Sequence, residues 1–181
     1  DEVFMGHAIQ AGVGQSPTRQ AAIYAGLPNA VACTTINKVC ASGMKSVIMG
    51  TQAIQCGDAE IVIAGGMENM SLVPHYMNLR NLPKFGPATM IDGIQKDGLL
   101  DAYDNNAMGV CADLCAKEYK ITREEQDHFA IQSYERSRIA WEKGKFDNEI
   151  IPITVAQRKG DSIIISKDEE YTNVILDKIP S

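Results

Sequence analysis

The feature that most constrains this chain is the run Ile61-Val62-Ile63-Ala64, apolar without interruption and stopped at Gly65-Gly66. Consecutive apolar residues leave no polar side for solvent, so the run is predicted to be a strand covered on both faces, as in parallel sheets flanked by helices. The preceding chain agrees. Val3 to Ala8 is a short apolar run, and Ser16-Pro17-Thr18 opens a helix because proline has no amide hydrogen to lose in the first turn. Gly26-Leu27-Pro28 closes that helix, and Cys33 to Val39, with its β-branched alternation, reads as a second strand. A second helix runs from Met44 to Cys56-Gly57-Asp58, with Met44, Val47, Ile48 and Ile54 on one side. Strand, helix, strand, helix, strand predicts an α/β fold with helical crossovers.

After Ser71 the texture changes. His75 to Met90 holds Pro83, Gly86 and Pro87 among polar residues and predicts an excursion from the sheet, with a boundary near residue 72. The second region, 73–181, is predicted to hold helices over Met108 to Tyr119 and Thr122 to Lys143. The latter is opened by the capping box Thr122-Arg123-Glu124-Glu125 and closed by Gly144. Phe129, Ala130, Ser133, Tyr134, Ser137, Ala140 and Trp141 form one stripe of that helix, expected to be core. Ile150 to Val155 and Ser162 to Ser166 are expected to form a hairpin across Lys159-Gly160-Asp161. Asp1 stands where an initiator methionine would, inside an apparent strand, and Pro180-Ser181 follows no closing element. Truncation at both ends is therefore expected.

Charge excludes one large class of partners. A net charge of -6 with no clustered Lys/Arg run gives no basic face to displace counterions from nucleic-acid phosphates. No apolar run is long enough to span a bilayer. Five cysteines without paired spacing, beside three histidines, argue against a disulfide framework or a zinc site and for a reducing, intracellular setting. Cys33, Cys56, Cys111 and Cys115 are expected to be packing residues, and His75 structural or at the surface.

Cys40 is different. Asn37-Lys38-Val39-Cys40-Ala41-Ser42-Gly43 sets a thiol where a strand turns into a helix start. Unpaired amide hydrogens and the positive end of the helix dipole favour a thiolate, which is the nucleophilic form. Small neighbours leave room for a carbonyl, and the Cys40 amide is placed to donate to the oxyanion formed on attack. A free cysteine is more often simply a small buried apolar residue, so local pattern leaves both readings open.

The wider set of motifs resembles the thiolase family. The nucleophile segment is Thr34 to Lys45. Gly12-Val13-Gly14-Gln15 with Pro17-Thr18-Arg19-Gln20, Gly65 to Ser71, Lys96-Asp97-Gly98-Leu99, Glu125-Gln126-Asp127 with Ser133-Tyr134, and Gly144-Lys145-Phe146 with Glu149 to Pro152 follow in family order. The resemblance is closest to the short-chain, acetoacetyl-CoA type. It implies a layered α/β fold, with residues 1–72 as part of the amino-terminal core domain and 73–181 as most of an inserted loop domain. It implies ping-pong acetyl transfer between two acetyl-CoA molecules through acyl-Cys40, giving acetoacetyl-CoA and CoA. No resident cofactor is implied, since the CoA thioesters are substrates.

Position by position, the resemblance makes Cys40 the acylated nucleophile and Leu99 and Met108 lining residues of the pantetheine and acyl pocket. Tyr134 becomes a CoA neighbour and, as in potassium-activated members, a contact of a potassium ion. Asn173, Val174, Ile175 and Lys178 become the segment around the CoA nucleotide. Without the resemblance, Leu99 and Met108 read as core and Lys178 as a solvated surface charge. Leu82 to Met90 resembles the loop by which tetrameric thiolases clasp one another, so a homodimer or homotetramer is expected, in the cytoplasm or a mitochondrial matrix. Ala107 replaces a frequent histidine and Asn173 a frequent arginine.

No Asn-Glu-Ala-Phe, Gly-His-Pro or Cys-Gly-Gly-Gly motif occurs in the 181 residues. In the family these supply a water-holding asparagine, the histidine that activates the nucleophile and the cysteine base. The chain alone is expected to be inactive. The alternatives are a non-catalytic CoA-binding or oligomerisation module and a cysteine-based redox or metal protein, the latter disfavoured by the lack of a CxxC pair.

Overall fold

The computed structural model describes residues 1–81 and 84–180, and the side chains of these except Asn81. Leu82 and Pro83, at the head of the expected clasping tract, lie outside the described residues. The chain divides into two compact units, Asp1–Val110 and Cys111–Ser181.

The first unit is built on β1 (Glu2–Gly6), α1 (Pro17–Tyr24), β2 (Ala32–Ile36), α2 (Ser42–Cys56) and β3 (Val62–Gly66). The strands are parallel in the order β2-β1-β3, and Gly6 of β1 stands level with Ile36 on one side and Gly66 on the other. Successive strand residues point to opposite faces, which places the helices. Thr35 of β2 accepts a hydrogen bond from the Thr18 amide of α1 and donates to its hydroxyl. Val62 and Ala64 of β3, level in register with Glu2 and Phe4, lie against Gly50 of α2. Thr35 is level with Met5, one residue out of phase, so α1 and α2 cover opposite faces. This is the expected α/β crossover arrangement. Val3, Phe4, Ile9, Ala22, Ile36 and Ala59 form its buried apolar core.

The buried side of α2 differs from the expectation. Ser42, Ser46 and Gly50 are buried, while Met44, Val47, Ile48 and Ile54 are largely exposed. The sheet meets this helix through Gly6 and Gly66, and only small residues permit that approach. Periodicity marked a shared face of α2, but nothing among the described residues buries it. Likewise Ile63 is 49% exposed: it points to the α1 face, and α1 packs on β2 and β1, leaving the outer strand open on that side. Cys56 and Cys115 are exposed rather than packed, whereas Cys33 and Cys111 are half-buried.

Residues 73–110 belong to the first unit, so the expected boundary at 72 falls inside it. Here β4 (His75–Tyr76) pairs antiparallel with β5 (Ile91–Asp92), and one π-helical turn covers Gln95–Leu99. One glycine folds this excursion on itself and a second brings it against Ile9. A Cβ at Gly93 would collide with the Pro74 carbonyl, and one at Gly98 would press on Ile9. His75 is surface-exposed with Nε2 3.8 Å from Asp92.

The division between the units falls within α3 (Met108–Glu118). The second unit contains α4 (Arg123–Glu142), the antiparallel pair β6 (Ile153–Val155) and β7 (Ile163–Ile165), and α5 (Glu170–Asn173). Both halves of the expected capping box form: Glu125 N–H donates to Thr122 Oγ1 at 3.2 Å, and Thr122 N–H to Glu125 Oε2 at 2.8 Å. The predicted core stripe of α4 instead lines an open groove with Trp141, Phe146 and Tyr171, and Phe129 is 69% exposed. Among the described residues, no helix is long and apolar enough to cross a membrane.

Candidate active site

The three parallel strands end together, and β1 is followed in the chain by β2 on one side and, after a crossover, by β3 on the other. Such a reversal opens a crevice at the carboxyl ends of the strands, where α/β sheets bind ligands. A cleft of about 370 Å³ lies there, lined by Gly6, His7, Cys40, Glu68 and Leu99 among others. Gly6 and Gly66 let the amino end of α2 settle over the strand ends: a Cβ on Gly6 would overlap the backbone of Ser42 and Gly43.

The turn from β2 into α2 lifts Cys40 to the cleft. Ala41 N–H donates to Lys38 O at 3.1 Å, closing a tight turn through Val39 and Cys40. Val39 has φ +50°, which is strained for a β-branched residue and costs about 1–3 kcal/mol. The conformation is held from both sides. Asn37 Oδ1 accepts from Val39 N–H at 2.9 Å, and Asn37 Nδ2 donates to Ala8 O at 2.9 Å. Buried Ser42 donates from Oγ to Val39 O at 2.6 Å and accepts Lys38 N–H at 2.8 Å. Cys40 is exposed, two residues before α2, and its amide enters none of these bonds. The first amides of a helix have no partner within it and favour negative charge, so the site combines a thiol with donors for an oxyanion.

The cleft is also lined by a His7–Glu68 contact that no local sequence signal reveals. His7, 7% exposed, follows β1, and Glu68 follows β3. His7 Nε2 lies 3.0 Å from Glu68 Oε1, while Glu68 Oε2 accepts from Ala8 N–H at 2.8 Å and Ile9 N–H at 3.3 Å. The other ring nitrogen, Nδ1, is buried and has no hydrogen-bond partner among the described residues. Glu68 thus ties the exits of two strands together in the cleft that Cys40 also lines.

Leu99 enters this cleft from the π-helical turn, a distortion common at functional sites. Asp97 in that turn accepts the Tyr76 hydroxyl at 2.9 and 3.0 Å, and the carboxylate raises the Tyr76 phenol above its ordinary pKa. Met108, the other expected pocket residue of the first unit, is 45% exposed and is not among the residues lining the cleft. The antiparallel bridge Leu100–Ala107 sets it at the head of α3.

The remaining expected residues belong to the second unit. The Tyr134 hydroxyl donates to Glu170 Oε1 at 3.0 Å, and this bond, reinforced by the carboxylate charge, raises the phenol pKa. Trp141 stacks on Tyr171 with centroids 6.1 Å apart and contacts Phe146 at 5.0 Å. Asn173 ends α5, Val174 and Ile175 follow extended, and Lys178 closes a 3-10 turn. The phenol and carboxylate oxygens at Tyr134 and Glu170 are hard donors, the type a potassium ion takes.

Comparison with known proteins decides the family. The model of the thiolase N-terminal domain matches residues 1–181. The chain belongs to the thiolase family. This thiolase chain is 50% identical over 179 residues to mitochondrial acetyl-CoA acetyltransferase of Homo sapiens, covering 99% of the chain and 42% of the relative. It is 48% identical over 183 residues to acetyl-CoA acetyltransferase of Saccharomyces cerevisiae, covering 100% and 46%. In fold it matches the crystal structure of Acat5 thiolase from Ascaris suum in complex with coenzyme A, with TM-score 0.90, 41% identity, and coverage of 99% of this chain and 45% of that one. The chain spans less than half the length of the curated relatives it matches.

Proposed function

We propose that this thiolase chain carries the acyl-accepting half of an acetyl-CoA C-acetyltransferase. The observation that carries the proposal is Cys40, exposed at the amino end of α2 in the strand-end cleft. In the first half-reaction, Cys40 Sγ attacks the thioester carbonyl of acetyl-CoA and a new carbon–sulfur bond forms. The oxyanion takes hydrogen bonds from backbone amides, that of Cys40 among them. It then collapses, breaking the bond to CoA, whose thiolate leaves and takes up a proton. In the second, acetyl-CoA deprotonated at its methyl attacks acyl-Cys40, giving acetoacetyl-CoA and the free thiol, a ping-pong scheme.

Leu99 lines the acyl end of the cleft, and Met108, outside that lining, is assigned to the pantetheine contact on the family resemblance. Tyr134, Asn173, Val174, Ile175 and Lys178 belong to the CoA-binding face of the loop domain, taken as residues 73–181 beside a core domain at 1–72. The acetyltransferase names of the relatives and the coenzyme A in the Ascaris suum structure support this reading. If potassium binds, Tyr134 holds it through its phenol oxygen, and the ion supplies positive charge beside the CoA. The working protein is a homodimer or homotetramer of the cytoplasm or, like the human relative by name, of mitochondria.

The motifs that in the family supply the base for the methyl proton and the histidine activating the thiol do not occur in these 181 residues, and on this reading the chain alone does not turn over. The test is acetoacetyl-CoA thiolysis by the full-length protein and its Cys40→Ser form, beside the 181-residue chain. The full-length protein should give parallel double-reciprocal lines, and Cys40→Ser should lose activity by about a thousandfold or more. Turnover that survives Cys40→Ser would defeat the proposal.

A further inference from the structure

The turn carrying Cys40 is held in a conformation that its own sequence resists. At φ +50° the branched Val39 side chain crowds the backbone, and L residues avoid this region. Such strain persists only where surrounding contacts over-determine it. Two polar side chains provide those contacts. Asn37 takes the Val39 amide and anchors to the Ala8 carbonyl after β1. Ser42 takes the Lys38 amide and donates to the Val39 carbonyl, while its own amide reaches the same carbonyl at 3.1 Å. Both peptide groups of Val39 are thereby fixed, one on each side of the strained φ and ψ.

We propose that Asn37 and Ser42 are positioning residues for acyl transfer, a clamp that keeps Val39 left-handed so that the Cys40 thiol and amide are presented to the same carbonyl. The proposal rests on Cys40 being the acyl acceptor. If the clamp is released, Val39 relaxes to negative φ and the Val39–Cys40 peptide swings. The oxyanion donor then leaves the line of attack, and of the cleft lining the segment around Val39 and Cys40 moves while Gly6, Glu68 and Leu99 stay in place. The loss falls on the acylation step and not on CoA binding, because both side chains spend their hydrogen bonds on the turn around the thiol.

The experiment uses the full-length protein, with acetyl-CoA as the probe, rapid quenching and mass-spectrometric reading of acetyl-Cys40. Ser42→Ala and Asn37→Ala should each slow acetylation by about ten- to a hundredfold, with the dissociation constant for CoA unchanged. Adding Val39→Gly to Ser42→Ala should restore the rate to within about threefold, because glycine takes φ +50° without steric cost. A general loss of structure would not be repaired by Val39→Gly. Should Ser42→Ala unfold, the exposed Asn37 carries the same test, with Val39→Gly added to Asn37→Ala. Wild-type protein that never acetylates Cys40 would sink the acyl-acceptor reading and the clamp with it. Acetylation in wild type and in folded clamp variants at one rate, or a failed rescue, would sink the clamp alone.

Discussion

His7 and Glu68 meet across 3.0 Å in the lining of the cleft, one from the exit of β1 and the other from the exit of β3. The Glu68 carboxylate also holds the Ala8 and Ile9 amides, so it serves three donors at once. Glu68→Ala should strand those donors and destabilise the fold by about 2–3 kcal/mol, as expected for hydrogen bonds to a charged acceptor. Urea unfolding measures this, and a loss below about 0.5 kcal/mol would contradict the bracing role.

Gly6 is predicted to tolerate no side chain. A methyl group there meets the backbone of Ser42 and Gly43, which cannot yield without moving the amino end of α2 away from the sheet. Gly6→Ala should cost about 2–3 kcal/mol or more and slow alkylation of Cys40 by iodoacetamide. Gly109→Ala is the contrasting case, since nothing lies within 4 Å of the added Cβ. Within α3 it should stabilise by about 0.5 kcal/mol through the smaller backbone entropy of alanine. Thermal unfolding of both variants checks the pair.

These two glycines also show what the sequence made legible. The alternation of strands and helices could be read because Gly26-Leu27-Pro28, Gly57 and Gly65-Gly66 punctuate it, and the period changes at Cys40. The buried side of α2 could not be read. Met44, Val47, Ile48 and Ile54 share a face, but periodicity does not say what covers that face, and the sheet takes the small side instead. The α4 stripe around Phe129 misleads for the same reason. Asn37 and Ser42 were visible as residues beside the nucleophile. Their duty was hidden, because a β-branched Val39 argues locally against the left-handed turn they enforce. The His7–Glu68 unit has no local signal, since its partners become neighbours only when β1 and β3 lie side by side.

The capping box of α4 offers a measurement in the second unit. Thr122→Ala removes the acceptor for the Glu125 amide and should cost about 1 kcal/mol. Thr122→Ser, which keeps the hydroxyl acceptor, should lose little of it. An unchanged urea midpoint for Thr122→Ala would show that the end of this helix is satisfied by other means.

Tyr76 and Tyr134 should each ionise above the ordinary phenol value of about 10. Each donates to a carboxylate, Asp97 or Glu170, which raises its pKa. A raised folded pKa contributes stability that is fully present below the unfolded phenol value of about 10 and is lost as pH rises through the folded value. Spectrophotometric titration of phenolate absorbance should therefore lose a fraction that rises above the ordinary phenol range in Tyr76→Phe and another in Tyr134→Phe. Loss of an early-rising fraction instead would contradict the two contacts.

The most direct measurement for the account as a whole is the site of acetylation. Full-length protein is mixed briefly with acetyl-CoA in the absence of free CoA, quenched rapidly in acid and digested, and the acetyl group is located by mass spectrometry. One thioester-linked acetyl on Cys40, absent in Cys40→Ser and removed by added CoA, is the predicted result. Acetyl on another cysteine, or none on any thiol while the protein still turns over, would contradict it.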